Sequence, residues 1–424
     1  MKVLLIALGS AGDVHPLIGL GVALRARGHR VLLVTNPNFA SLVERAGLEF
    51  VPIGTLEELH EAMADPDLWH PRRAFYIVVN RLMLPLMRPL YELVVEHYEP
   101  RSTVVAAPST AIGARIAQEK LGVPLATIDL QPAILRSSHS SSMLPPMLMS
   151  NWVPGWFKQF QFWAADKLLL DRLVAPSVNS FRAELGLSPA RSLLGDWWHS
   201  PQKVIGLFPD WFAPPQPDWP RNTVLTGFPL WDETGLSEIP PQLAEFLSAG
   251  SPPIAFTPGS AMLHGREFFS AAAEACRLLG RRGILLTRYA EQLPLDLPRG
   301  VRHFDFVPFS QLLPRCAALV HHGGIGSTAQ ALAAGIPQLV MPMSHDQPDN
   351  AARAARLGVA SVIKPRKFRA KAVAASLASL LESPHVARSC REVAAKFDTP
   401  KALATACDEI ERLSPAVNVS TPAA

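Results

Sequence analysis

The sequence predicts two doubly wound α/β domains facing each other across a cleft. An apolar run at Val3–Leu8 opens the chain, followed by a small-residue loop, a helix-spaced stretch and a second apolar run. The same alternation returns after residue 253. Composition also changes between the halves: all nine tryptophans lie from Trp69 to Trp231, and all four cysteines follow residue 275. Continuous apolar strands alternating with helices are the mark of βαβ units in a parallel sheet covered on both faces.

The elements follow in order. Val3–Leu8 reads as a buried first strand, because six apolar residues are too few for the core of a signal peptide. The loop GSAGD (9–13) leads into a stretch where Leu17, Leu20, Gly21 and Leu24 share a helical face, with Gly28 as the stop. Val31–Thr35 is the next strand. In the second half, IAFT (254–257), a helix near 266–279, GILLT (283–287), VRHFDF (301–306), AALVH (317–321), a helix near 327–334 and QLVMP (338–342) repeat the pattern. The proline-rich segments at 209–220 and 237–242 place the linker near 232–252. The N-terminal domain is therefore expected over 1–232 and the C-terminal domain over 253–394, with a last helix at about 395–415 returning to the first. Residues 137–165 lack clean periodicity and read either as a loop leading into a core helix or as an adaptable apolar lid.

Composition bounds the function. With 48% hydrophobic and 18% charged residues in 424, the chain carries enough apolar material for real cores, which excludes a disordered protein. Forty basic against 36 acidic residues leave a net charge of +4, too weak and too dispersed to argue for a nucleic-acid partner. No stretch reaches a membrane span; the closest, 74–95, is broken by Arg81, Pro85, Arg88 and Pro89. Cys276, Cys316, Cys390 and Cys407 have no metal-ligand spacing and read as reduced thiols of a cytoplasmic protein.

The most informative stretch is HHGGIGSTAQALAAGIPQLVMPMSHDQPDN (321–350). A buried strand ends at His321, a glycine-rich turn follows, and a helix starts near Ser327. Such a turn aims free N–H groups and a helix dipole beyond the strand end, where a phosphate or diphosphate fits. His322 and the hydroxyls of Ser327 and Thr328 could add hydrogen bonds; the plain alternative is a turn made for packing. Gly324, Gly326 and Ala329 also fit a permissive dinucleotide fingerprint, with Asp346 twenty residues after Gly326. That leaves a Rossmann oxidoreductase open. A nucleoside-triphosphate loop is excluded, because no G-x-x-x-x-G-K-[ST] occurs. The DPD at 65–67 reads as a surface turn, and His321 with His322 lacks partners at metal-ligand spacing.

This stretch resembles the donor-sugar signature of inverting glycosyltransferases of family 1 with the two-domain GT-B fold, nearest to the bacterial branch that glycosylates antibiotics, sterols and lipids. The resemblance covers nearly the whole chain. IALGSAGDVHPLIGL, DPDLWHP and the segment from HSPQ to LTGFPLWD look most similar to the rhamnosyltransferase of rhamnolipid synthesis. The resemblance implies that His322, the N–H groups after it (Gly324 and Gly326 among them) and Ser327 hold a diphosphate, and that Asp346 and Gln347 read sugar hydroxyls. Thr257, Gly259 and Ser260 would touch the phosphates from the other side. Phe306 stands where relatives stack the base, with Val307 pairing through its backbone, and Gln330 stands where plant members bind the ribose with glutamate, so uridine and deoxythymidine both remain open. Asp13, beside Gly12 in the first glycine-rich loop, takes the position of the acceptor-deprotonating base. Its alternative role is a helix N-cap. His15 is the competing base, or a structural or acceptor-lining residue. Plant members support their base with an aspartate; Ala107 stands there, so no relay is evident.

The expected reaction is a single in-line displacement at a sugar carbon. It uses a UDP-glucose-like or dTDP-rhamnose-like co-substrate, no cofactor and no metal, with the leaving charge held by the helix terminus and His322. The excess of Trp, Phe and Met over 69–170 implies a hydrophobic acceptor, and the aromatic segment in a mildly basic chain is consistent with peripheral contact at the inner membrane surface. The competing classes are the oxidoreductase, a non-catalytic sugar-nucleotide-binding subunit and a sugar-nucleotide epimerase.

Overall fold

The computed structural model describes residues 1–140, 142–143, 147, 152–233 and 235–414. The other positions of the 137–165 segment, Thr234 in the linker and everything from 415 onward lie outside the described residues.

Seven parallel strands build the first sheet: β1 (Lys2–Ile6), β2 (Arg30–Thr35), β3 (Glu49–Pro52), β4 (Thr103–Ala107), β5 (Leu125–Asp129), β6 (Lys203–Gly206) and β7 (Thr223–Leu225). Their order is β3-β2-β1-β4-β5-β6-β7. Six more, β8 (Ile254–Thr257), β9 (Gly283–Leu286), β10 (Val301–Phe304), β11 (Ala318–His321), β12 (Gln338–Val340) and β13 (Ala360–Val362), run β10-β9-β8-β11-β12-β13. β1, β4, β5 and β8 are buried at every residue, as the apolar runs require. In each sheet the strand order reverses beside the first strand, between β1 and β4 and between β8 and β11. Ligands bind doubly wound sheets beyond the strand ends at such reversals. The loops after β1, β8 and β11 are therefore the places to look for a site.

Six helices bear on it: α1 (Ala11–Ala26), α2 (Gly155–Ala165), α3 (Arg266–Leu279), α4 (Ile325–Ala333), α5 (Gln347–Arg356) and α6 (Thr399–Glu411). Helix α6 lies against α1 and β6. Arg27 pairs with Asp408 at 2.6 Å and Glu411 at 2.9 Å, and Lys203 with Glu409 at 2.6 Å. Ala406, Cys407 and Ile410 join an apolar cluster that runs from the first sheet to Ile325 and Ala329 of α4. All four cysteines are free and buried.

Three local expectations change. The first strand ends at Ile6, and α1 starts at Ala11 with Ser10 as its N-cap, so Asp13 sits inside the first helical turn, where its carboxylate closes a capping box with Ser10 instead of being the N-cap itself. Helix α4 starts at Ile325, two residues earlier than its hydroxyls suggest. Helix α2 is not a core helix: just before it Trp152 is 77% exposed, and within it Trp156, Phe160 and Trp163 are 70%, 53% and 56% exposed. At these spacings they line one helical face, which points to solvent. Among the described residues no helix is long and apolar enough to cross a membrane.

Candidate active site

The two histidines that end β11 are put to different uses. His321 is fully buried; its Nδ1 accepts the Gly323 N–H at 3.1 Å and its Nε2 donates to Gln338 Oε1 at 2.9 Å. Burial pushes its pKa down to about 4, so it is a neutral brace for the turn. His322 faces the other way. Its ring fills the gap between Gly259 and Gly324, and a β-carbon on Gly259 would stand 2.8 Å from it. Gly259 also carries φ +105°, which side-chain-bearing residues rarely adopt. Burial, then His321 and His345, lowers His322 to about 3. A neutral His322 can donate one N–H, and its buried Nδ1 has no partner among the described residues.

Helix α4 has no side chain capping its start, so its first N–H groups are free toward the same space. Ser327 sits half-buried in that first turn. The Thr328 hydroxyl donates back to the Gly324 carbonyl at 3.0 Å and is fully buried, so it serves the helix rather than the cleft. Across the turn, Thr257 Oγ1 accepts the Gly259 N–H at 3.3 Å, and Ser260 is exposed one residue farther on. Phe306 lies two residues past β10. The Arg288 guanidinium is 5.4 Å from its ring centre, and His15 meets it edge-on at 6.4 Å. Val307 and Gln330 are buried, at 2% and 9% exposure, so whatever either offers a nucleotide comes from inside the wall.

Asp346 and Gln347 start α5. Asp346 Oδ2 accepts from Asn350 Nδ2 at 2.6 Å, and the same nitrogen donates to the Gly323 carbonyl at 3.0 Å. Asn350 thereby ties the α5 start to the turn after β11, and its buried Oδ1 has no partner among the described residues. Gln347 Oε1 accepts from the Met343 and Ser344 N–H groups at 2.9 and 3.3 Å, so its oxygen holds the loop and its amide nitrogen alone remains for a ligand. Burial raises the Asp346 pKa to about 7, with the charge of Asp13 as the next cause.

That coupling brings the two domains together. Asp13 Oδ2 accepts the Ser10 N–H at 2.8 Å and the Ser10 hydroxyl at 3.1 Å. Burial raises its pKa while these two bonds hold it down. A β-carbon on Gly326 would lie 3.3 Å from the Gly12 Cα, so the starts of α1 and α4 touch. His15, one turn along α1, instead packs edge-on against Trp231 at 5.6 Å, with Nε2 3.7 Å from Glu233 Oε1. Burial lowers its pKa against the pull of Glu233 and Asp232. It thus braces α1 against the linker.

Several residues here were missed from sequence. Asn350 sits inside the 321–350 stretch and Arg288 just past the strand at 283–287, but nothing in their spacing signals a role. Asp349 and Arg353 form a buried pair at 2.6 Å that reaches into the first domain. Asp349 accepts the Met143 N–H at 2.9 Å, while Arg353 donates to Ser142 Oγ and the Phe212 carbonyl at 3.2 Å each. The DPD turn is a surface turn, as expected: Asp65 Oδ1 accepts the Asp67 N–H at 2.9 Å and Asp67 pairs with Arg73 at 3.1 Å. Trp69, just after it, reaches the His322 ring edge-on at 6.4 Å.

Residues 3–140 match the model of the glycosyltransferase family 28 N-terminal domain, and residues 283–410 that of the erythromycin biosynthesis protein CIII-like C-terminal domain. The chain is 31% identical to the O-mycaminosyltylonolide 6-deoxyallosyltransferase of Streptomyces fradiae, over 97% of either protein. It superimposes on the glycosyltransferase of kitacinnamycin with a TM-score of 0.71 at 24% identity, covering 98% of this chain and 99% of the other. It superimposes on the glycosyltransferase VinC, solved in complex with dTDP, with a TM-score of 0.67 at 21% identity, covering 98% and 100%. These matches leave the oxidoreductase reading of Gly324, Gly326 and Asp346 without support.

Proposed function

We propose that this chain, which belongs to the antibiotic-type family 1 glycosyltransferases of GT-B fold, moves a hexose from a UDP-glucose-like or dTDP-rhamnose-like donor to a hydroxyl of a hydrophobic small molecule or lipid, with inversion and without a metal ion. The observation that carries the reading is the turn after β11. There the free start of α4 and the unpaired Nδ1 of His322 lie beside a sugar-side acceptor, the unpaired Oδ1 of Asn350. Unpaired donors suit a diphosphate and an unpaired acceptor suits a sugar hydroxyl.

In this reading the acceptor oxygen attacks the anomeric carbon as the bond from that carbon to the diphosphate breaks. Asp13 takes the proton from the attacking hydroxyl, and Ser10 orients its carboxylate through Oδ2. The departing negative charge falls to the α4 terminus and His322, which supports a metal-free displacement. Asp346, Gln347 and Asn350 hold the sugar hydroxyls, while Phe306, under Arg288, offers a face to the base. The exposed aromatic face of α2 supports peripheral contact with a lipid surface, since Trp and Phe favour the bilayer interface.

Release of nucleoside diphosphate from UDP-glucose and dTDP-rhamnose, measured in EDTA with a panel of 3-hydroxy-fatty acids, sterols and phenols, tests the proposal. Acceptor-dependent release that survives chelation is expected. Donor hydrolysis without any acceptor dependence, or release only with added divalent metal, would overturn it.

A further inference from the structure

Trp69 belongs to the first domain but sits in the loops of the second. It lies at the end of a short turn, Pro66–Trp69, started by the Asp65 side chain. The carbonyl of its neighbour Leu68 accepts a hydrogen bond from His345 Nε2 at 2.9 Å, and the Ser344 hydroxyl is 3.5 Å away. The indole then meets two imidazoles edge-on, His322 at 6.4 Å and His345 at 5.9 Å. His345 holds φ +57°, an uncommon conformation for histidine, and in it the side chain reaches Leu68. A segment of one domain is thus anchored on the loop that begins the sugar subsite of the other.

The indole N–H of Trp69 is buried and has no hydrogen-bond partner among the described residues, and the same is true of the Nδ1 of His322, which it meets edge-on. Buried polar groups are almost always paired, and an indole can only donate. Among the described residues Trp198 and Trp219 also bury unpaired indole N–H groups, but of the three it is Trp69 that lies against His322 and His345. The adjacent turn is the one read above as the diphosphate site.

We infer that Trp69 is a donor-binding residue contributed by the N-terminal domain, whose indole N–H bonds an oxygen of the donor's diphosphate beside His322. This rests on the reading of residues 322–327 as the diphosphate site. It makes donor binding depend on both domains, since the Leu68–His345 bond carries the indole into place.

The test uses the full chain labelled with ¹⁵N-tryptophan and titrated with UDP and with dTDP. The resonance absent from Trp69→Phe identifies the Trp69 indole among the nine. That signal is expected to shift downfield on nucleotide binding, as an N–H does on meeting an anionic acceptor. Trp69→Phe keeps an aromatic edge against the histidines; it should weaken nucleotide binding about 10- to 100-fold by calorimetry, the range for losing one bond to a charged group. It should also raise the donor KM more than it changes kcat. If a nucleotide binds while the Trp69 resonance stays put, or the variant binds as tightly as the parent, Trp69 is structural and the inference fails, leaving the diphosphate site standing. If neither nucleotide binds the parent protein, the diphosphate reading fails and this inference falls with it.

Discussion

Gly12 and Gly326 meet across the cleft: a β-carbon added at Gly326 would stand 3.3 Å from the Gly12 Cα and 3.7 Å from its carbonyl oxygen. Each lies in the first turn of the helix that follows a strand-order reversal. Pro16 has no N–H to return to that carbonyl, which leaves it facing the other domain. The approach of two bare backbones lets Asp13 come close enough to raise the pKa of Asp346.

Gly326→Ala should therefore wedge the cleft. A contact at 3.3 Å is tighter than ordinary packing and asks the two backbones to part by a few tenths of an ångström, a fraction of the ~1 Å misplacement that costs on the order of 10²-fold. We expect kcat/KM to fall about three- to tenfold with the thermal midpoint nearly unchanged. Steady-state kinetics beside a thermal melt decides it, and full activity would mean that the two helix starts need not touch.

Asp13→Asn preserves an oxygen for the Ser10 bonds but removes the proton acceptor. Loss of a general base costs about 10²- to 10⁴-fold in turnover. Nucleotide affinity should stay within a few-fold, because the diphosphate turn is untouched. Unaltered turnover would remove Asp13 from the chemistry; donor binding without turnover in the parent protein as well would favour the non-catalytic subunit.

Asp346 gives the donor site a pH dependence. With its pKa raised to about 7, it is about 90% protonated at pH 6 and mostly ionised at pH 8. An ionised carboxylate accepts more strongly from sugar hydroxyls, so sugar-nucleotide affinity should rise by up to about tenfold over that interval. UDP or dTDP alone should bind with little change. Calorimetry at the two pH values checks this, and Asp346→Asn should flatten the difference. The linked effect on folding has the sign of a raised acid: Asp346 favours the folded state below its unfolded pKa near 4, and this is lost as pH rises through about 7. His322 acts oppositely, its low folded pKa costing stability as pH falls from 6.5 toward about 3.

The aromatic face of α2 should seek a lipid surface. We expect co-sedimentation with anionic liposomes that drops at least fivefold in a Trp156→Ser, Trp163→Ser double variant, with unchanged turnover of a water-soluble acceptor. No binding by the parent protein at low salt would leave the stripe without that role.

Much of this was legible in the sequence, for physical reasons. Fully buried parallel strands are written as continuous apolar runs, so β1 and β8 could be read directly. The glycine turn after His321 announces a free helix start in any context. Other features depend on what lies across the cleft. Whether Thr328 faces a ligand or its own helix depends on a rotamer, and its hydroxyl turned inward. Trp69 stands beside a surface turn and gained its place only when that turn met His345, 276 residues along the chain. Whether the aromatic segment at 137–165 packs as core or lies on the surface stayed open, because composition alone carries no direction.

The most direct test of the account is calorimetric titration of UDP and dTDP into the parent protein and into His322→Ala, with folding verified by a thermal melt. At least one nucleotide is expected to bind the parent protein, and the variant to bind it about tenfold or more weakly, the cost of losing a buried donor to a charged oxygen. Failure of both nucleotides to bind the parent, or equal affinity in parent and variant, would contradict the assignment of the turn after β11 as the diphosphate site.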